Sequence, residues 1–128
     1  MSEDPGRAGK KLSSYRDLEV RKCSIDLVEE MYRVTASFPT EEKYGLISQM
    51  RRAAVSIPSN IAEGYGRRDR GDYLRHLSFS NGSLKEFETQ MIIVGRLKIA
   101  QRDQLEKSWR LAQEAGKMLH ALIASLEN

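Results

Sequence analysis

Two sets of polar residues recur at helical spacing and could bring reactive groups together. In the first set the side chains fall four, four and three residues apart: Arg52, Ser56, Asn60 and Glu63. In the second set they fall three and four residues apart: Ser83, Glu86 and Gln90. Residues at such spacings share one face of a helix. Because Glu63 and Glu86 are carboxylates, a residue type used in general acid and base catalysis, these sets are the first candidates for chemistry.

The same residues lack the partners that catalysis needs. No histidine lies within either set, and no nucleophile–base pair can be named. His76 and His120 fall in different predicted helices, without the Glu-x-x-His spacing of a metal-binding bundle. Because buried polar groups need hydrogen-bond partners, we predict that the two sets face each other as a structural polar seam. A ligand or partner site is the alternative, and we expect no enzyme activity, metal or cofactor.

A further group of candidate residues is basic and falls in or near one predicted turn: Arg51, Arg52, Arg67, Arg68, Arg70 and Arg75. Guanidinium forks match phosphate oxygens, and the nearby Tyr65 and Tyr73 can stack on bases, so RNA or DNA contact is one interpretation. A solvated turn with Arg–Asp pairs and an acidic protein partner are the alternatives. The net charge of +3 permits a nucleic-acid partner without requiring one. No helix-turn-helix, zinc-finger or RNP motif is present.

The elements that must position these residues are helices joined by short links. Apolar residues that recur mostly at steps of three to five predict helices at 17–37, 41–65, 72–98 and 103–126. Such helices pack as antiparallel neighbours, so the predicted fold is all-α, an up-and-down antiparallel four-helix bundle. We assign residues 15–128 to the bundle and 1–14 to a disordered tail.

The second predicted helix contains a proline. Pro58 removes one helical hydrogen bond, which predicts either a kink or two helices broken at Ile57. Because the apolar spacing continues in phase through Ile61, we prefer a single kinked helix. Thr40 is the expected N-cap of this helix.

Helical periodicity also assigns the core. Leu18, Phe87 and Trp109 are expected to face inward. Three glycines fall inside predicted helices: Gly82, Gly95 and Gly116. Glycine destabilises the interior of a helix by about 1 kcal/mol relative to alanine. We therefore expect these three glycines to offset that cost by permitting close helix packing.

Four consecutive apolar residues, Met91 to Val94, occur in the third predicted helix. At about 100° per residue they point all round the helix, although a bundle helix needs only one buried stripe. The excess predicts an interface with another chain, formed by Ile92, Ile93 and Val94. The alternatives are a helix sunk within its own bundle or scattered apolar surface residues.

Composition narrows the class of protein. A chain of 128 residues can form one domain with its own core. The lone Cys23 lies in an apolar-periodic stretch, which fits a reducing cytosol. No apolar run is long enough to cross a membrane, and the N-terminus lacks the apolar segment of a signal peptide. We therefore expect a cytoplasmic protein.

One long block of sequence resembles a bacterial family. The block and its outlying matches are Phe38-Pro39, Glu42, Tyr44-Gly45-Leu46, Gln49, Arg51-Arg52-Ala53-Ala54, Ser56-Ile57-Pro58-Ser59-Asn60-Ile61-Ala62-Glu63-Gly64, Gly82-Ser83 and Glu86. They resemble the four-helix-bundle proteins encoded within intervening sequences of 23S ribosomal RNA genes, the S23-type ribosomal protein family. The resemblance extends from about Tyr15 to Leu126.

The resemblance implies an up-and-down bundle and a homo-oligomer, since related structures form five-fold rings. The chain is also distantly similar to accessory proteins of diversity-generating retroelements, which bind nucleic acid beside a reverse transcriptase. Together with the arginines, this implies a non-enzymatic, oligomeric RNA-binding protein. The alternative is a structural module that binds a protein partner and has no role with nucleic acid.

Overall fold

The computed structural model describes residues 5–127, with side chains described for 14–42 and 45–127. Four α-helices make up nearly all of it. They are α1 (Pro5–Thr35), α2 (Ser48–Tyr65), α3 (Arg70–Arg96) and α4 (Arg102–Glu127). No strand occurs in the part of the chain that the structure describes, so the all-α prediction is confirmed.

The helices pack in chain order and close into a bundle. Each helix contacts the next, and α1 also packs along α4. The contact between α2 and α3 is the most extensive. Arg16, in the first half of α1, donates to the carbonyl of Ala121, in the second half of α4, as antiparallel packing of these two helices requires. The predicted up-and-down four-helix bundle is confirmed.

Helix α1 begins earlier than the sequence predicts. Its backbone is helical from Pro5, where we expected a disordered tail over residues 1–14; residues 1–4 lie outside the described residues. Proline is tolerated in the first turn of a helix, because the N–H it lacks would have no intrahelical acceptor there.

Helix α2 begins later than predicted and is not interrupted. A 3₁₀ turn (Thr40–Glu42) and a π-helical turn (Lys43–Ile47) precede it, so Thr40 opens a turn and does not cap the α-helix. Pro58 lies inside one continuous helix, which confirms the choice of a single element; the kink itself stays a prediction.

The core follows the predicted periodicity with two corrections. Phe87 is fully buried, but Leu18 is 46% exposed and Trp109 is 40% exposed. On α1 the inward stripe contains the fully buried polar residues Asp17 and Ser24, so the apolar pattern alone selected the wrong phase at Leu18. No described helix is long and apolar enough to span a membrane.

The glycine prediction is largely wrong. A Cβ atom added at Gly82 or Gly95 would meet nothing within 4 Å, so neither glycine mediates close packing. At Gly116 a Cβ would lie 3.3 Å from Leu84 Cδ2. The tightest approach is at Gly64, where it would lie 2.8 Å from His76 Cβ and 2.9 Å from Tyr73 Cδ1. Gly64 therefore sets the distance between α2 and the start of α3.

Candidate nucleic-acid interface

Among the described residues, three arginines without an intramolecular partner lie in the turn between α2 and α3 and at the first residue of α3. Arg67, Arg68 and Arg70 are exposed, and none has a side-chain hydrogen bond or ion pair among the described residues. We call these three residues the turn cluster. Asp69, the acid between them, accepts a hydrogen bond from the backbone N–H of Gly71 at 3.2 Å and so caps α3. Because this carboxylate is engaged with the backbone, the arginines keep their capacity for an external anion.

Arg75 stands apart from the turn cluster. Its Nη2 lies 3.3 Å from Oδ1 of Asp72, one turn away on α3, and both side chains are largely exposed. A local Arg–Asp pair, one of the alternatives drawn from the sequence, therefore exists at this residue. Exposed pairs of this kind contribute little to stability.

Arg51 and Arg52 do not join the turn cluster. They lie near the start of α2, sixteen and fifteen residues before Arg67, which corresponds to about 23–24 Å along a helix. Arg51 is also engaged: its Nε donates to Thr35 Oγ1 at 2.9 Å, and its guanidinium lies 4.3 Å from the centre of the Tyr32 ring. The six predicted arginines thus divide into an engaged Arg51, an exposed Arg52 and a separate group at the opposite end of α2.

The two tyrosines near the turn have different surroundings. Tyr65 is 45% exposed, its hydroxyl lies 2.8 Å from Ser14 Oγ, and the guanidinium of Arg21 lies 5.2 Å from its ring centre. Tyr73 is only 8% exposed, and its ring packs edge-on against Tyr65. Burial, together with a hydrogen bond to Asp17, raises the pKa of Tyr73 far above its usual range. Only Tyr65 remains accessible to a base.

The structure brings part of the predicted polar seam together. The hydroxyl of Ser56 on α2 donates to the hydroxyl of Ser83 on α3. The Asn60 side chain donates back to the carbonyl of Ser56 at 2.9 Å. Further along, Gln90 Nε2 donates to Glu86 Oε1 at 3.3 Å, within α3 itself. The seam is therefore a chain of local contacts around one interhelical serine pair.

The residue that faces Asn60 and Glu63 is His76, which the sequence reasoning had set aside. Its Nδ1 lies 3.4 Å from Asn60 Oδ1 and 3.5 Å from Glu63 Oε2. Its Nε2 is buried without a hydrogen-bond partner among the described residues. Antiparallel pairing could have identified it, because Ser56 opposite Ser83 places residue 63 opposite residue 76.

The side chains of the seam bond to one another or to the backbone. The two hydroxyls of Ser56 and Ser83 bond to each other, and the polar contacts of His76 are to Asn60 and Glu63. The ring of His76 also packs edge-on against Phe79. Within the described ranges, no group of three or more histidine, cysteine, aspartate or glutamate side chains lies close enough to hold a metal ion. The arrangement suits a structural role that fixes the register of α2 on α3.

One of the three residues predicted for a subunit interface on α3 cannot contribute to it. Val94 is fully buried within the bundle and is therefore unavailable to a partner chain. Ile92 and Ile93 are 47% and 41% exposed, and Leu97, one turn beyond Ile93, is 64% exposed. An apolar surface remains at the end of α3, formed by Ile92 and Ile93 in the helix and Leu97 just after it.

Comparisons with known proteins agree with this fold. Residues 16–121 match the family model described as 23S rRNA-intervening sequence protein. A solved structure, described as a protein with unknown function from the S23 ribosomal protein family of Bacteroides thetaiotaomicron, is similar with a TM-score of 0.79 and 23% identity. That similarity covers 85% of this chain and 98% of the other. No curated protein matches the chain.

Proposed function

This chain belongs to the family of 23S rRNA-intervening sequence proteins, and we propose that it is an oligomeric, non-enzymatic RNA-binding protein whose first contact with RNA is the turn cluster. The observation that carries the proposal is the state of Arg67, Arg68 and Arg70. These three cations are exposed and unpaired among the described residues, while the neighbouring Asp69 is held in a helix cap. We place this function in the cytoplasm, where the lone Cys23 stays reduced.

The guanidinium groups of the turn cluster do not by themselves distinguish a phosphate from a carboxylate partner. Guanidinium groups bind both anions in bidentate geometry. A phosphate backbone, however, offers a row of charges, and cations on one projecting turn can meet several of them. Such contacts release counterions, so the affinity should fall steeply as salt rises.

Electrophoretic retardation of structured 23S rRNA fragments at low and moderate salt tests the proposal. We expect retardation at low salt that weakens at moderate salt. Arg67→Glu combined with Arg68→Glu should weaken binding and reduce the slope of log affinity against log salt by about two. The matched control reverses two exposed cations on α4, Arg110→Glu with Lys117→Glu. No retardation at either salt concentration, or an equal loss in both double variants, would reject the proposal.

A protein-interaction module is the second candidate, and the exposed apolar residues of α3 favour it. Ile93→Glu should break assembly if Ile93 and Leu97, which do not line the groove described below, contact another copy. A homopentamer is the state expected from the family resemblance. Light scattering of the wild-type protein and the variant measures this directly. A monomer mass for the wild-type protein would contradict the oligomeric part of the proposal.

A further inference from the structure

A groove between α3 and α4 opens at the end of the bundle opposite the turn cluster. Its apolar lining consists of Met91, Ile92, Ala100, Leu105 and Trp109. Met91 and Leu105 are buried and form its floor, whereas Ile92 is 47% exposed and Trp109 is 40% exposed. A flat indole ring is therefore accessible from solvent inside a concave apolar surface.

Three cations stand around this groove. Arg96, Lys98 and Arg102 line it, are exposed, and have no side-chain hydrogen bond or ion pair among the described residues. Two acids also line it. Asp103 Oδ1 accepts a hydrogen bond from the backbone N–H of Gln104 at 3.1 Å, and Glu106 is exposed. The groove therefore has an excess of positive charge and is complementary to an anion.

The backbone at Lys98 adds an independent observation. Lys98 has φ of 57°, the left-handed conformation, in the turn that ends α3. Its N–H donates to Gly95 O at 3.2 Å and the N–H of Ile99 donates to Val94 O at 3.0 Å, which is the helix ending normally built with glycine. A side chain costs about 1–2 kcal/mol in this conformation. The turn thus places a cation at the groove where glycine would be more stable.

We propose that the α3–α4 groove binds an unpaired segment of RNA, with a base stacked on Trp109 and phosphates contacting Arg96, Lys98 and Arg102. An aromatic platform beside a cationic surface is the combination that binds single strands without reading their sequence. A duplex buries the faces of its bases and would leave the indole without a partner. A glutamate-rich peptide would satisfy the cations, but its carboxylate side chains carry no ring to stack on the indole.

The groove site extends the proposed function to a second surface and shares with it only the class of ligand. Helix α3 has 27 residues, so the turn cluster and the groove lie about 40 Å apart. An RNA with a structured part and an unpaired part can therefore contact both ends of one bundle, and each contact can be tested alone.

Tryptophan fluorescence tests the groove directly, because Trp109 is the only tryptophan of the chain. The probes are an oligouridylate of about eight nucleotides, an RNA duplex of the same length, inorganic phosphate and a glutamate-rich peptide. We expect saturable quenching by the oligouridylate that weakens with salt, and little change with the other three. Absence of quenching by the oligouridylate, equal quenching by the duplex, or tighter binding of the peptide would overturn the site.

Two variants locate the binding. Arg96→Ala with Lys98→Gly removes two cations, and the glycine suits the backbone at residue 98, so loss of binding cannot be ascribed to a distorted turn. We expect the Kd for oligouridylate to rise about tenfold or more. The control, Arg110→Ala with Lys117→Ala, removes the same charge from residues that do not line the groove, and its Kd should stay within about twofold. Equal effects in the two proteins would overturn the site.

The stacking platform is tested with Trp109→Leu and a fluorescently labelled oligouridylate, by anisotropy. Loss of one stacked base should raise the Kd about fivefold or more. An unchanged Kd in a variant that keeps its helical circular dichroism would overturn the role of Trp109.

The outcomes separate this site from the turn cluster. Quenching by oligouridylate that persists in the Arg67→Glu/Arg68→Glu protein supports an independent groove site. Retardation of structured rRNA without any quenching by oligouridylate would reject the groove site and leave the turn-cluster proposal standing. Quenching by oligouridylate without retardation of structured rRNA would reject the turn-cluster proposal and leave the groove site standing.

Discussion

The hydroxyl of Tyr73 donates a hydrogen bond to Oδ2 of Asp17 across 2.5 Å. Arg21 Nε donates to Oδ1 of the same carboxylate at 2.8 Å, one turn along α1. Asp17 is fully buried, so these two donors compensate the cost of burying its charge. The contact fixes the first turn of α3 to α1 and thereby positions the end of the bundle from which the turn cluster emerges.

Tyr73→Phe should lower the free energy of unfolding by about 1–3 kcal/mol, because it leaves a buried carboxylate with one donor fewer. Urea denaturation followed by circular dichroism measures the change. The matched control is Tyr15→Phe, at a residue 64% exposed, which should change stability by less than about 0.5 kcal/mol. Equal losses in the two variants would show that the Asp17 contact contributes nothing.

Gly64→Ala should destabilise the protein by about 1–3 kcal/mol, because the added Cβ would lie 2.8 Å from His76 Cβ and 3.2 Å from the backbone oxygen of Tyr73. Gly82→Ala is the matched substitution in a helix interior with open space around it, and it should stabilise by about 0.5–1 kcal/mol. Thermal unfolding of both proteins checks the opposite signs. A loss at Gly82 would mean that this face meets something other than solvent.

Lys98→Gly should stabilise the isolated protein by about 1 kcal/mol, because glycine adopts positive φ without the steric cost that a side chain meets. Chemical denaturation measures the gain. Lys117→Gly, in the interior of α4, should lose about 1 kcal/mol. If Lys98→Gly were neutral or destabilising, the left-handed conformation at this residue would not be a source of strain.

Cys23 should react slowly while the protein is folded. Burial raises the pKa of its thiol to about 11, with the charges of Glu114 and Asp26 adding to the effect. Since the thiolate is the reactive form, iodoacetamide at pH 8.5 should label the native protein slowly and the urea-unfolded protein rapidly. Equal labelling rates, measured by mass spectrometry, would contradict this.

The raised pKa of the Cys23 thiol makes the free energy of unfolding depend on pH. As pH rises above the ordinary cysteine value of 9.0, the unfolded chain loses this proton before the folded chain does. Stability contributed by Cys23 is therefore complete below that pH and is lost as pH rises towards about 11. Cys23→Ala should show a smaller alkaline loss of stability than the wild-type protein.

The bundle could be predicted from sequence because its apolar residues keep one period through each helix. On α1 the core was assigned wrongly because a polar residue occupies a position in the buried stripe. Asp17 is buried because Arg21, one turn along α1, and Tyr73 on α3 supply donors, and Tyr73 lies outside the local pattern. Trp109 has the spacing of a core residue but lies at the edge of the α4 stripe, where the groove exposes it.

The candidate site was predicted only in part. The arginines of the turn could be identified by composition, but sequence proximity could not show that Asp69 is engaged in capping or that Arg51 bonds to Thr35. The α3–α4 groove was missed, because its cations flank a link between helices and its lining residues come from two elements. His76 was missed because its partners are defined by helix register, not by spacing.

The closure of α1 onto α4 has a consequence for how the chain reaches its native state. The contact from Arg16 to Ala121 spans 105 residues, whereas α2 and α3 meet across a short turn and share the most extensive packing. Ordering a long loop costs more chain entropy than ordering a short one. We expect the α2–α3 hairpin to form first and the outer pair to dock last. Amide protons of α1 and α4 should therefore gain protection later during refolding than those of α2 and α3.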